Sequence, residues 1–174
     1  MPDTLILYKS KYGASRRYAA LLAERLGCEA LELDKAGEAT LRGKGTVILA
    51  AGVYAGGIAG LSKFAKLLRA VPGVRAAVLA VGASPYDEKA LRELRERSKA
   101  LPGSVPLFYA RGAWDEEAMS FKDRTMCKML QKMVAKQDPG STEPWMCELL
   151  AAMGEKRDWV DAEYLKPLLE YIEG

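Results

Sequence analysis

Four short runs of this chain are apolar from end to end: Thr4–Tyr8 (TLILY), Thr46–Ala51 (TVILAA), Ala76–Val81 (AAVLAV) and Val105–Ala110 (VPLFYA). A strand with one wet face alternates apolar and polar residues, whereas a strand with no polar face must be covered on both sides. Between these runs lie segments with helical spacing. Ala14–Leu26 places Ala19, Leu22, Ala23 and Leu26 on one stripe, Ile58–Leu68 does the same with Leu61, Phe64, Ala65 and Leu68, and Asp87–Ala100 is a charged helix. Cys28–Leu33 alternates apolar and acidic residues and reads as a strand exposed on one side. Strand and helix taking turns imply right-handed crossovers and a parallel sheet. The predicted class is α/β, a doubly wound five-stranded sheet in the order 2-1-3-4-5 with helices on both faces.

The 174 residues suit one domain, 1–174. Its distinctive part is an insertion over about residues 111–157, because roughly 45 residues between the last strand and the final helical stretch are too many for a plain connection. The insertion contains a predicted helix, Ser120–Ala135, ended by Asp138-Pro139-Gly140-Ser141. On that helix Phe121, Met126, Met129, Leu130, Met133 and Val134 are interleaved with Lys122, Arg124, Lys128, Lys132 and Lys136. The commoner arrangement of such a stripe buries the methionines and solvates the lysines. The other lays the helix on an anionic membrane surface or along a hydrophobic entrance. Pro167 within Asp158–Ile172 predicts a kink or a later helix start.

Composition removes several function classes. The chain has no histidine, which excludes Ser-His-Asp and Cys-His catalysis and most zinc or iron sites, and Cys28, Cys127 and Cys147 form no C-x-x-C pair. No metal site is expected, and the chemistry has to come from a bound cofactor. A net charge of +3 spread along the chain gives no case for nucleic acid. No apolar run approaches the length of a membrane span and no signal sequence is seen, so the expected location is the cytoplasm.

In a doubly wound sheet the ligand sits beyond the carboxyl ends of the strands at the switch point. After the first strand comes Ser10-Lys11-Tyr12-Gly13-Ala14-Ser15, with two hydroxyls, a glycine and a helix start just behind it. Backbone N–H groups and the positive end of a helix can enclose a phosphate there; an ordinary capped turn has the same residues. The chain has neither G-x-x-x-x-G-K-[ST] nor G-x-G-x-x-G after a strand, which argues against ATP and NAD. A phospho-receiver domain needs carboxylates where this chain has Tyr8-Lys9 and Ala51-Gly52.

This loop resembles the [ST]-x-T-G-x-[ST] phosphate loop of flavodoxins, with Tyr12 where threonine is commonest. Gly52-Val53-Tyr54-Ala55-Gly56-Gly57, the Phe121-Lys122-Asp123-Arg124 stretch and Arg157-Asp158-Trp159 resemble the second loop, the insertion helix and the last-helix entry of the flavodoxin-fold, menaquinone-dependent protoporphyrinogen dehydrogenases. The resemblance implies a flavodoxin-like fold and FMN as cofactor. The phosphate would lie in Ser10–Ser15 and the isoalloxazine between Val53, Tyr54, Ala55, Gly56 and Gly57 on one side and Gly82, Ala83, Ser84, Pro85 and Tyr86 on the other.

In that arrangement Tyr54 is the candidate to stack on the ring. Gly56 and Gly57 would allow a positive φ that turns a carbonyl to flavin N5. Ser84 and its neighbours would serve the pyrimidine edge, with Pro85 stiffening the turn. Trp114 covers the same cleft or packs the insertion. The implied function is an FMN-dependent oxidoreductase passing electrons to a quinone acceptor or a redox partner. The Ser120–Lys136 helix is the candidate for peripheral membrane contact. The alternatives are a non-catalytic electron carrier or flavin-binding module, and a scaffold without flavin.

Overall fold

The computed structural model describes residues 3–174. Five parallel strands form its centre: β1 (Thr4–Lys9), β2 (Glu29–Glu32), β3 (Thr46–Tyr54), then, after a two-residue strand β4 (Gly57–Ile58), β5 (Arg75–Gly82) and β6 (Leu107–Arg111). Their spatial order is β2-β1-β3-β5-β6. With β4 set aside this is the expected 2-1-3-4-5 order; β4 merely folds back antiparallel on the end of β3.

Three of the four continuous apolar runs become strands buried on both faces, β1, β3 and β5; the fourth, Val105–Ala110, ends in β6 at the edge of the sheet, where Ala110 alone of the strand's residues is buried. On one face Leu5, Leu7, Val47, Leu49 and Val78 pack with Phe64 and Leu67 of α3 (Leu61–Ala70) and Leu94 of α4 (Glu88–Arg97). On the other, Ile6, Ile48, Leu79 and Val81 meet Tyr18 and Leu22 of α1 (Ala14–Leu26) and Leu168 and Ile172 of the last helix. Successive residues such as Val47, Ile48 and Leu49 are each fully buried yet serve opposite clusters, which is the two-residue period of a pleated strand. A short α2 (Glu38–Leu41) links β2 to β3.

One helix boundary differs from expectation, and one expected alternative is realised. The helix predicted from Ile58 starts only at Leu61, because Ile58 belongs to β4 and Gly60, at φ 74°, ends the turn before it. An ideal Cβ at Gly60 would lie 2.4 Å from Leu33 Cδ2, so the glycine is required by space as well as by φ. Pro167 is accommodated by a later start. A 3₁₀ turn, Ala162–Leu165, leads into the last helix at Lys166–Glu173, whose first turn holds the proline.

The insertion is more ordered than its sequence indicates. Strands β7 (Ala113–Asp115) and β8 (Lys156–Asp158) pair antiparallel and close its two ends. Between them lie α5 (Phe121–Ala135) and α6 (Pro144–Ala151), so the remaining helix, Lys166–Glu173, is α7. Trp114 is buried on β7, so it packs the insertion. On α5 only Asp123, Gln131 and Val134 are buried. Phe121, Met129 and Met133 are 86%, 61% and 63% exposed, and Met126 and Leu130 are exposed as well. The expectation that the methionines form core is therefore overturned. The helix is anchored by polar groups, with Gln131 donating to Glu116 at 2.9 Å and Arg124 to the carbonyls of Glu116 and Glu117, and its apolar stripe is left facing solvent.

Phe64→Ala, which empties the largest side chain at the contact of α3 with the sheet, is expected to lower the unfolding free energy by about 3–5 kcal/mol, read from the urea midpoint at unchanged slope.

Candidate functional site

All five strands run the same way, so the loops after β1, β3 and β5 share one edge of the sheet. β3 lies between β1 and β5 in register over most of its length, which places the three loops side by side.

The first loop is shaped by Ser10 and Gly13. The Gly13 N–H donates to Ser10 Oγ at 3.0 Å, and Gly13 at φ 99° turns the chain into α1. No side chain caps that helix, and its first turn has no acidic residue. Its leading amides therefore converge on the loop as orphan donors. An ideal Cβ at Gly13 would meet nothing within 4 Å, so the space before the helix is open. Ser15, in the first turn, is buried, with Oγ 3.8 Å from where a Cβ of Gly52 would stand.

The second loop is tighter than its sequence suggests. β3 runs on to Tyr54 and pairs through Tyr54 with Gly57, leaving Ala55 and Gly56 as a two-residue hairpin turn. Both have positive φ, 49° and 75°. Two left-handed residues make a type I′ turn, whose twist matches the strands it joins. The expected assignment of positive φ to Gly56 and Gly57 is thus half right: Gly57 is extended in β4, and its role falls to Ala55, at a cost of about 1–2 kcal/mol for a residue with a Cβ.

The third loop is held from behind by β6. Tyr109 Oη donates to the Ser84 carbonyl at 2.6 Å and Arg111 Nε to the Ala83 carbonyl at 3.0 Å. In a trans peptide the N–H opposes the carbonyl, so the Ser84 amide points away from β6, and Pro85 has no N–H at all. Burial pushes the Tyr109 phenol up, keeping it a neutral donor. Arg111 is itself fixed: its guanidinium lies 3.7 Å from the Trp159 ring centroid and donates to Glu148 at 2.7 Å. Gly82 is needed because a Cβ there would come within 2.6 Å of Tyr109 Oη. Tyr86, 58% exposed, stands at the rim, 6.4 Å from the Tyr109 ring.

One residue that joins these loops lay outside the predicted set. Asp123, in the first turn of α5, reaches back to the first two loops, accepting from Lys11 Nζ at 2.5 Å, from Tyr12 Oη, and from Tyr54 Oη at 2.7 Å. The Lys11 ammonium also lies 5.5 Å and 5.0 Å from the Tyr12 and Tyr54 ring centroids. At 2% exposure Asp123 is among the most buried polar residues, whereas Tyr12 and Tyr54 remain 46% and 41% exposed. The hydrogen bonds from Lys11, Tyr12 and Tyr54 hold its carboxyl far below the usual carboxylate range. The same bonds raise Lys11 and Tyr54. The sequence signal for this contact was faint: Ser120-x-x-Asp123 marks a helix start, and Ser120 Oγ does accept from the Asp123 N–H at 3.3 Å. The partners, more than 60 residues away, carry no such mark.

Ser10 to Ser15 and Val53 to Gly57 are thus brought together, joined by Asp123, while Gly82 to Pro85 is tied to β6. Two surface clefts, of about 510 and 280 Å³, lie elsewhere, one along α1 and Val160–Ala162 and the other between β7, β8 and α5.

A family model described as a flavodoxin domain matches residues 5–142. Among solved structures, the chain is similar to the Trp repressor binding protein from Bacillus subtilis (15% identity, 63% of this chain and 84% of that one, TM-score 0.43). It is also similar to a flavodoxin from the domain Archaea (14% identity, 72% and 91%, TM-score 0.45) and to a Streptococcus pneumonia flavodoxin (20% identity, 60% and 81%, TM-score 0.42). No curated protein sequence matches.

The folded-state pKa of Asp123 lies below its unfolded value, so its stabilisation is complete above about pH 4 and fades as the pH falls below that. Asp123→Asn is accordingly expected to be less stable than the parent at pH 7, with the gap in melting temperature closing between about pH 4 and pH 2. A gap that stays constant over that interval would show that the charge is not its source.

Proposed function

Given that the chain belongs to the flavodoxin domain family, we propose that it binds one FMN across the three loops and acts as an FMN-dependent oxidoreductase, of the quinone-linked protoporphyrinogen dehydrogenase type that its loops and insertion resemble. The observation that carries the cofactor assignment is the start of α1: an uncapped, glycine-led helix with open space in front of it and hydroxyls at Ser10 and Ser15. Orphan amides at a helix start with flanking hydroxyls are the donor set that a phosphate monoester takes.

Bound there, FMN would supply hydride and single-electron chemistry. The chain's own residues do the positioning. Ser10, Ser15 and the amides behind Gly13 would hold the phosphate, and the tight Tyr54–Gly57 hairpin would present one wall to the ring. The Ser84 amide, turned away from β6 by Tyr109 and Arg111, would offer a donor to the ring's polar edge.

An oxidoreductase is favoured over a diffusing carrier by α5. Carriers of this fold are usually acidic, whereas here Lys122, Lys128, Lys132 and Lys136 border an outward apolar stripe. Such a face suits an anionic membrane surface, where an apolar quinone acceptor resides. Among the described residues no helix is long and apolar enough to cross a membrane, so this contact would be peripheral.

The carrier or flavin-binding-module reading draws on a different observation. Lys11 and Tyr54 are shifted up and Asp123 down, all away from neutrality, and are poorly placed to exchange protons near pH 7. Turnover of a tetrapyrrole-type substrate with a quinone separates the two readings.

An absorbance spectrum after FMN addition and gel filtration is expected to show flavin bands at about one per chain, and a colourless protein would overturn the assignment. Gly13→Val, which forces a branched residue into φ 99°, is expected to weaken FMN at least about tenfold, while exposed Cys147→Ser leaves the affinity unchanged. Equal affinities in fluorescence titration would remove the phosphate from this loop.

A further inference from the structure

Asp123 makes contacts that a helix anchor does not need. Its carboxylate sits in the first turn of α5 between the two loops assigned to FMN and takes an ammonium and two phenol hydroxyls. Those three donors come from Lys11, Tyr12 and Tyr54, more than half exposed in one case and nearly so in the others. None of them is needed to cap α5, which Ser120 already does. One ammonium and two hydroxyls converging on a buried carboxylate constitute an anion subsite, and in this structure its occupant is part of the chain.

We propose that Asp123 is the resident anion of this subsite, and that FMN enters by displacing it from Lys11, Tyr12 and Tyr54, releasing the first turn of α5 from the ligand loops. The inference rests on the FMN reading given above. The cofactor phosphate in the Ser10–Ser15 loop and the Asp123 carboxylate repel each other and compete for Lys11 and Tyr12, the donors of that loop, while Tyr54 would leave Asp123 to face the ring. Besides Asp123, the first turn is held by Arg124, which donates to the carbonyls of Glu116, Glu117 and Met119. Phe121 and Lys122 are exposed, and the next buried residue of the helix is Gln131, more than two turns on. The bonds of Arg124 to Glu116 and Glu117 lie within the insertion itself and would travel with it. The Ser120 N–H donating to Tyr12 Oη at 3.2 Å is a further bond that release would break.

The competition is with charge, so it distinguishes FMN from riboflavin, which has the same ring and no phosphate. The test is stopped-flow quenching of flavin fluorescence by the full chain, its Asp123→Asn variant and its Ser120→Ala variant, with FMN and with riboflavin. Asp123→Asn is expected to take up FMN at least about tenfold faster and bind it correspondingly tighter, with riboflavin changed less than about threefold. Ser120→Ala, which loosens the helix start and leaves every loop residue in place, is expected to speed FMN entry severalfold and keeps the test decisive should Asp123→Asn fold poorly. Amide exchange over residues 121–126 of the parent is expected to rise when FMN binds.

Equal FMN association rates in the parent and both variants, with unchanged exchange, would overturn the proposal while leaving FMN as the cofactor. An equal gain for riboflavin would overturn it too, by making Asp123 a plain steric tie. Failure of all three proteins to bind FMN would bring down the cofactor reading and this inference together, and is distinguishable from binding at equal rates.

Discussion

Burial of the central strands on both faces is the constraint from which the rest of the molecule follows. A strand that is apolar throughout has to be roofed twice, so each connection must carry a helix over one face before the next strand can be laid. With right-handed crossovers only, that requirement sends α1 and α7 to one side and α3 and α4 to the other. It also sends the five central strands in the same direction. The loops after β1, β3 and β5 then share one edge whatever their composition, and the glycines and hydroxyls in them acquire a common focus. The location of the site is a by-product of how the core is buried; its chemistry is set separately, by what each loop contains.

How much of this is legible in the sequence depends on the range of the interaction. The strands are declared by their own residues, because an apolar run as short as TVILAA has no polar face and must be covered on both sides. The loop after β1 is nearly as local: Ser10, Gly13 and the helix start lie within one turn of each other. The hairpin is less so. Composition offers Gly56 and Gly57 as the pair free to take positive φ, but the register of β3 with β4 fixes the turn and moves the left-handed pair back by one residue to Ala55 and Gly56.

The insertion is the least legible part. A stripe of methionines on a helix reads as core only if something covers it, and α5 is anchored instead by Asp123, Arg124 and Gln131, polar side chains whose partners lie on β7's flank and on the distant loops. Such side-chain hydrogen bonds leave no periodicity to detect, whether they link residues in one insertion or, as from Lys11 to Asp123, distant parts of the chain. The same holds for Tyr109 and Arg111, which read as strand residues and turn out to hold the third loop in shape.

The alanine at the tip of the hairpin has a consequence for how the site can respond. In a two-residue turn of this kind the central peptide, between Ala55 and Gly56, has two candidate orientations. Rotating it would carry the first residue into the type II′ conformation, which is reserved for glycine at that position. Gly56 would tolerate the exchange; Ala55 would not. The carbonyl of Ala55 is thereby held in a single orientation, and this wall of the site is a fixed template with no built-in toggle. Whatever preference the hairpin exerts on a ligand is present before the ligand arrives and is the same after its charge has changed.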